Sequence, residues 1–345
     1  MIRSAVVEGF RGLQRLEVGG LARVNLVIGK NDCGKTALME ALLIGADVDV
    51  ARNVLHVQEL RKPGAPVEDF ERFWKPLFAS QNVERGFSIS TTNVGGNVLR
   101  ATLRKAAPAT EVVGGGGRGR PLKRRLWQID VAIEQDGRRS ESQIVATTNG
   151  VEFPPVTEPG GIWIEASKNL SSYDIRLFSK LRQAARDAEL LDILAQIDER
   201  VTGVELLAPG GADAQLFVRF QRGAPLLLMT MMGDGFQRCF EIGVAVLADD
   251  RPQLYVDELD NGLHHSVLEP VWRWIATMSA RRNLQVFATT HSEECIQAAC
   301  GAFTALNDDG LRVIRLDRRE QETVATVYDR AMVEAATRMD VEIRG

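Results

Sequence analysis

The chain has 345 residues, 45% of them apolar and 26% charged, with a formal net charge of −4. That length supplies a sizeable core and argues for two packed subdomains rather than one. No apolar run is long enough to cross a bilayer, and the negative balance offers no general basic face to nucleic acid.

Met1 to Phe10 carries Glu8 within its apolar stretch and has no small-residue cleavage site, so a secretory leader is not expected and the cytoplasm is the expected compartment. The first thirty residues read as two or three short strands. The last of them, Val24 to Ile28, is a β-branched run that stops at Gly29. Thr36 to Ile44 consists largely of helix formers, with Gly45 as a stop. From Phe87 to Phe153 the pattern changes to short alternating stretches bounded by Asn-Gly, Asp-Gly and Gly-Gly pairs, which predicts antiparallel hairpins. Gly114 to Pro121 is a low-complexity loop between them.

Apolar residues recur every three or four positions from Ile175 to Ile197, predicting one helix over Tyr173 to Val201. A further helix is expected from Asp234, then a strand Leu254 to Val256, a helix Ser266 to Arg281, a strand Gln285 to Thr289 and a short α/β tail. Cys33, Cys239, Cys295 and Cys300 form no C-x-x-C pair and have no histidine at zinc-ligand spacing, so buried free thiols are expected.

Gly29-Lys30-Asn31-Asp32-Cys33-Gly34-Lys35-Thr36 matches G-x-x-x-x-G-K-[ST] between a buried strand and a helix. Glycines let the backbone close round phosphates, successive N–H groups point inward, Lys35 brings positive charge to the β/γ oxygens and the Thr36 hydroxyl suits Mg²⁺. Asp257-Glu258 ends the apolar strand Leu254 to Val256. There Asp257 is a candidate Mg²⁺ ligand, directly or through water, and Glu258 a candidate to polarise the attacking water. His291, after the tandem threonines Thr289-Thr290, is placed to hydrogen-bond a γ-phosphate.

In this order the segments resemble ABC-type ATPase heads, and more closely the bacterial OLD (overcoming lysogenisation defect) group. The residues that carry the resemblance are Asn25 to Asn31, Asp257-Glu258-Leu259-Asp260-Asn261-Gly262-Leu263-His264, Gln285 to Ser292 and Phe10-Arg11-Gly12. The resemblance implies an α/β fold with a P-loop parallel-sheet core, an antiparallel β subdomain and a helical lobe. Its expected segments are an N-terminal ATPase lobe over 1–86, an antiparallel insertion over 87–160, a helical lobe over 161–232 and a C-terminal ATPase lobe over 233–345. It also implies that Arg11 lies near the nucleotide and that Gly233-Asp234-Gly235 forms a signature loop completing the partner's ATP site in a head-to-tail dimer.

Asp260 stands where relatives usually carry glutamate, and Gln58 is one candidate for the Q-loop glutamine. Pro270 is expected in a first helical turn, where it is tolerable. The stretch after His291 is short for the Toprim nuclease domain of full-length OLD proteins. An ATPase half of a two-gene anti-phage system, switching a separate nuclease or toxin, is therefore the leading expectation. The alternative is a recombination-type ATPase that clamps DNA in repair. Arg118, Arg120, Lys123, Arg124 and Arg125 form a basic cluster, either a phosphate grip for nucleic acid, a match for a partner's acidic surface, or a solvated hairpin tip.

Overall fold

A computed structural model of the protein describes residues 1–106, 112–113, 123–155, 159–166, 170–211, 213–221, 224–319 and 322–338. In chain order the elements are β1 (Ile2–Phe10), β2 (Leu13–Val18), β3 (Val24–Ile28), α1 (Lys35–Ile44), α2 (Val50–Arg61), β4 (Phe87–Asn93), β5 (Val98–Lys105), β6 (Val112–Val113), β7 (Lys123–Gln135), β8 (Arg138–Thr147), β9 (Gly150–Glu152) and β10 (Ile162–Ile164). They continue with α3 (Ser172–Gln183), α4 (Asp187–Leu194), β11 (Val201–Leu207), β12 (Gln215–Phe220), β13 (Leu227–Leu228), α5 (Asp234–Ala248), β14 (Gln253–Val256), α6 (His265–Arg281), β15 (Gln285–Thr289), α7 (Glu293–Ala305), β16 (Leu311–Arg319), β17 (Glu322–Asp329) and α8 (Arg330–Arg338).

Two compact units emerge, each assembled from separated stretches of chain. The first comprises Met1–Leu21, Gly29–Gly161 and Leu316–Val327; the second comprises Ala22–Ile28, Ile162–Arg315 and Tyr328–Gly345. The consecutive segments read from sequence are thus interleaved rather than laid end to end.

The first unit is built on a sheet of order β2-β1-β4-β5-β7-β8-β9, with β6 on β7. All of its pairings are antiparallel. The predicted hairpins are present. Asp136 and Gly137, both at positive φ, make the two-residue turn joining β7 to β8. Period-two patterning buries Leu99, Ala101 and Leu103 of β5 while Arg100 and Arg104 stay exposed. β1 and β2, expected with the P-loop segment, join this sheet instead, through β1 against β4. The core includes Val7, Phe10, Leu38, Leu42 and Ile89, with Phe10 edge-on to Phe87 at 5.2 Å.

The second unit carries the parallel sheet. Its strands follow the order β10-β14-β15-β3-β16. β10, β14, β15, β3 and β16 pair in parallel. Every residue of β3, β14 and β15 is buried, as expected for strands covered on both faces. Phe236, Phe240, Trp272, Val286 and Phe303 belong to the cluster that packs this sheet.

The expected long helix is broken. Ala185 lies at φ 55°, the Arg186 N–H donates to Leu181 O at 3.1 Å and the Ala185 N–H to Arg182 O at 3.0 Å, a Schellman stop after α3. Leu181, Leu190 and Ile193 are buried on both sides of the break, so the apolar period carries through a stop that no Gly or Pro marks. Val201 begins a strand instead of ending a helix, and β11-β12-β13 form a third, antiparallel sheet within the segment expected to be helical. Pro270 lies in the second turn of α6, which starts at His265, rather than in its first. Among the described residues no helix is long and apolar enough to cross a membrane.

Candidate nucleotide site

β3, β15 and β14 lie side by side in parallel, with Val27 opposite Thr289 and Ala288 opposite Val256. Their carboxyl ends therefore fall on one edge of the sheet, where open α/β sheets bind ligands. The residues that follow these strands in the chain are Gly29, Thr290 and Asp257.

The loop after β3 folds tightly. Gly29 has φ 139° and Gly34 φ 97°. A Cβ on Gly29 would stand 2.5 Å from Leu316 O and 2.8 Å from Cys33 Sγ, so only glycine fits. Lys35, 7% exposed, turns its amine inside the loop and donates to Gly29 O at 2.9 Å and Lys30 O at 3.0 Å. Thr36 is half-buried in the first turn of α1, and Asn31 and Asp32 are exposed. Asp32, at φ 61°, pairs with Arg318 at 3.1 Å, a contact that nothing in the sequence pattern marks. Burial pushes the Cys33 thiol above its usual range despite the neighbouring Lys35 charge. A loop of this curvature, opening a helix with a lysine inside it, fits a chain of phosphates.

Arg11 is occupied within the first unit. Its Nε donates to Glu40 Oε2 at 2.5 Å and its Nη2 to Gln58 Oε1 at 2.8 Å. Arg61 pairs with the other Glu40 oxygen at 2.6 Å. The Gln58 amide nitrogen donates in turn to Phe73 O, so both ends of this Q-loop candidate are engaged in the fold. Burial lowers the Arg11 pKa from its usual value, and Glu40 opposes that shift.

The acidic half is fixed from several sides. Glu258 adopts φ 47°, a left-handed conformation that costs a non-glycine residue about 1–2 kcal/mol. The Thr289 hydroxyl donates to Asp257 Oδ1 at 2.6 Å and accepts the Glu258 N–H at 2.7 Å. The Leu259 N–H donates to Thr289 O at 3.0 Å. Arg238, buried in α5, donates to Glu165 O at 2.5 Å, to Glu258 O at 3.1 Å and to Asp257 O. Burial holds its guanidinium pKa below the usual value, against the pull of Glu241. Thr290 donates to Asp260 Oδ1 at 2.6 Å, so the aspartate at the position usually held by glutamate has a partner of its own. His291 is half-buried one residue further on, just before α7.

Gly233 is the N-cap of α5, and Asp234 is its exposed first residue. A Cβ on Gly235 would lie 2.5 Å from Gly262 O, so the turn that opens α5 and the loop after Glu258 touch through bare backbone. Sequence reasoning named Gly233, Asp234, Gly235, Asp257, Glu258 and His291, and all six lie in the second unit. It missed Thr289 and Arg238 as fastenings of the acidic pair. The threonine beside the strand end was visible in the sequence, whereas the burial of Arg238 inside α5 was not.

Of the basic cluster, Arg118 and Arg120 lie outside the described residues, and the Lys123 and Arg124 side chains are likewise not described. Arg125 donates to Gln128 Oε1 at 2.5 Å. The Thr36 hydroxyl and the Asp257 carboxylate are hard oxygen donors of the kind Mg²⁺ takes, and the Thr289 bond fixes the orientation of that carboxylate. They fit the ion by donor type.

The sequence profile of a family described as "AAA domain, putative AbiEii toxin, Type IV TA system" matches residues 157–296. A Helicobacter pylori protein described as an ATP/GTP phosphatase is 23% identical over 344 residues, covering 86% of this chain and 87% of its own. The solved Smc head bound to the C-winged helix domain of ScpA shares a TM-score of 0.56 at 12% identity, over 98% of this chain and 99% of that one. An Smc head with an extended coiled coil, bound to the C-terminal domain of ScpA derived from Pyrococcus furiosus, gives 0.55 at 11% identity, over 100% and 99%. The fold of this chain is that of an ABC-type ATPase head.

Proposed function

We propose that the chain is an ATP-binding and ATP-hydrolysing ABC-type switch that closes as a head-to-tail dimer and controls a separate effector protein. The observation that carries this reading is the phosphate-shaped loop of the first unit with Lys35 inside it; within the second unit, the acidic pair held at a strand end by Thr289 and Arg238 supports it. The ATP/GTP phosphatase description of the Helicobacter pylori relative supports nucleotide hydrolysis.

Lys35 and the N–H groups of its loop hold the phosphates; the Thr36 hydroxyl and the Asp257 carboxylate are the donors that would hold Mg²⁺, which would supply charge neutralisation at the transferring phosphoryl group. Glu258 accepts a proton from water as the water oxygen bonds to the γ-phosphorus. The bond from the γ-phosphorus to the bridging oxygen breaks, and ADP and phosphate leave. His291 hydrogen-bonds the γ-phosphate and registers its departure. Gly233-Asp234-Gly235 of the partner subunit caps the same phosphate at the start of its helix. ATP then favours the closed dimer by its differential affinity for that state.

The OLD-like motifs and the toxin–antitoxin description of the matching family support a defence role in the cytoplasm, with a toxin or nuclease as effector. The Smc heads were solved with a bound partner domain, which supports control through a partner protein. Complementation tests the head-to-tail arrangement. Lys35→Ala and Gly233→Glu chains are each expected to be inactive alone, the exposed Gly233 having nothing of its own chain within 4 Å of an added side chain. Mixed, they regain one intact composite site and up to about half of wild-type turnover per dimer. A mixture as inactive as its components contradicts the arrangement.

A further inference from the structure

We propose that Thr289 is a positioning residue for hydrolysis, its single hydroxyl setting the Asp257 carboxylate and the Glu258 main chain at once. The inference rests on the reading of Glu258 as the residue that activates water.

Thr289 is fully buried at the last position of β15. Its hydroxyl hydrogen goes to Asp257 Oδ1 at 2.6 Å, and its oxygen receives the Glu258 N–H at 2.7 Å. Its carbonyl receives the Leu259 N–H at 3.0 Å. One residue therefore brackets Glu258 on both sides, at a position whose φ of 47° is unfavourable without such support. The arrangement also consumes one lone-pair direction of Oδ1, which orients the rest of the Asp257 carboxylate.

The same loop is held independently. Arg238 grips the carbonyls of Asp257 and Glu258 from α5. Thr290 holds Asp260, and Asn261 donates to Ala166 O at 2.7 Å. With those contacts in place, loss of the Thr289 hydroxyl leaves the loop folded and removes the bonds that set the Asp257 carboxylate and the Glu258 N–H. Positional error of this kind falls on the chemical step rather than on nucleotide binding, because the phosphates are held by the loop around Lys35.

The test compares Thr289→Val, which keeps the shape and removes the hydroxyl, with Thr289→Ser, which restores it. Turnover, equilibrium binding of a non-hydrolysable ATP analogue, molar mass with ATP and thermal unfolding are measured for both, beside Glu258→Gln. Thr289→Val is expected to lose about tenfold to a hundredfold in kcat, the effect of one lost hydrogen bond to a charged group. Its analogue affinity should stay within about threefold of wild type, and ATP should hold it as the larger assembly. Thr289→Ser is expected to recover most of the rate. Thr289→Ala carries the same comparison should the valine methyl prevent folding.

Wild-type turnover in Thr289→Val, or a folded Thr289→Ser as slow as the valine chain, overturns the proposal. If Glu258→Gln is inactive while Thr289→Val is not, only this inference falls. If Glu258→Gln turns over normally, the assignment of Glu258 falls and takes this inference with it.

Discussion

Replacing Glu40 by glutamine should expose how much the first unit depends on one buried charge. Glu40 is 2% exposed at its side chain and faces Arg11, 13% exposed, at 2.5 Å, with Arg61, 44% exposed, at 2.6 Å. The Arg61 pair reaches solvent and contributes little. The Arg11 pair does not, and removing one member of a buried pair costs about 3–5 kcal/mol because the other charge is left without compensation. Glutamine keeps the shape but turns an NH₂ toward one of the two arginines, so the lower end, about 3 kcal/mol, is expected.

The double variant Arg11→Met, Glu40→Leu removes both charges and should cost only about 1 kcal/mol, mainly from the Gln58 oxygen left without Arg11. Denaturant midpoints at constant m provide the measurement. A Glu40→Gln chain within about 0.5 kcal/mol of wild type, or a double variant as damaged as the single one, refutes the reasoning. Arg11→Lys divides the two roles open to this residue. With the guanidinium bound to Glu40 and Gln58, stability should fall while ATP affinity of the folded protein stays within about threefold. A large loss of affinity at unchanged stability would favour the nucleotide contact implied by the OLD resemblance.

Gly235→Ala should press a methyl into Gly262 O, costing about 1–3 kcal/mol and displacing the proposed signature loop. ATP-dependent association read by light scattering should weaken, while nucleotide binding to the isolated chain persists. The four cysteines are free and buried, and burial pushes the Cys239 and Cys295 thiols up to about 12. No thiol should react with an aromatic disulfide reagent at pH 8 under native conditions, and all four should react after unfolding; rapid native labelling would contradict the packing. Those two thiols bind protons more tightly folded than unfolded, so above about pH 8.5 stability should fall with pH, by up to about 1.4 kcal/mol per unit for each thiol. Unfolding curves between pH 8 and 10 check the sign, and Cys239→Ser should flatten the slope.

The tight glycine loop was legible because its pattern is contiguous, and Gly29 and Gly34 take positive φ with the Lys35 amine turned inside. The buried strands β3, β14 and β15 were legible as apolar runs for the same local reason. The break at Ala185 was not, since its stop depends on backbone hydrogen bonds rather than on a glycine. The helical period ran up to the start of β11, and β12 and β13 fell in a segment expected to be a helical lobe. Thr289 and Arg238 lie far in sequence from one another, and their shared hold on Asp257 and Glu258 exists only once α5, β14 and β15 are packed. Arg11 illustrates the converse, because a motif can name a residue without revealing that Glu40 and Gln58 occupy its guanidinium.

The most direct test of the central claim measures ATP hydrolysis and molar mass together, with Mg²⁺, for wild type and Glu258→Gln. The account predicts slow turnover in the wild type, near-zero turnover in the variant, and an ATP-dependent assembly that the variant forms and does not release. A Glu258→Gln protein that hydrolyses ATP at the wild-type rate, with a mass indifferent to nucleotide, would contradict both the assignment of Glu258 and the closure through Gly233–Gly235.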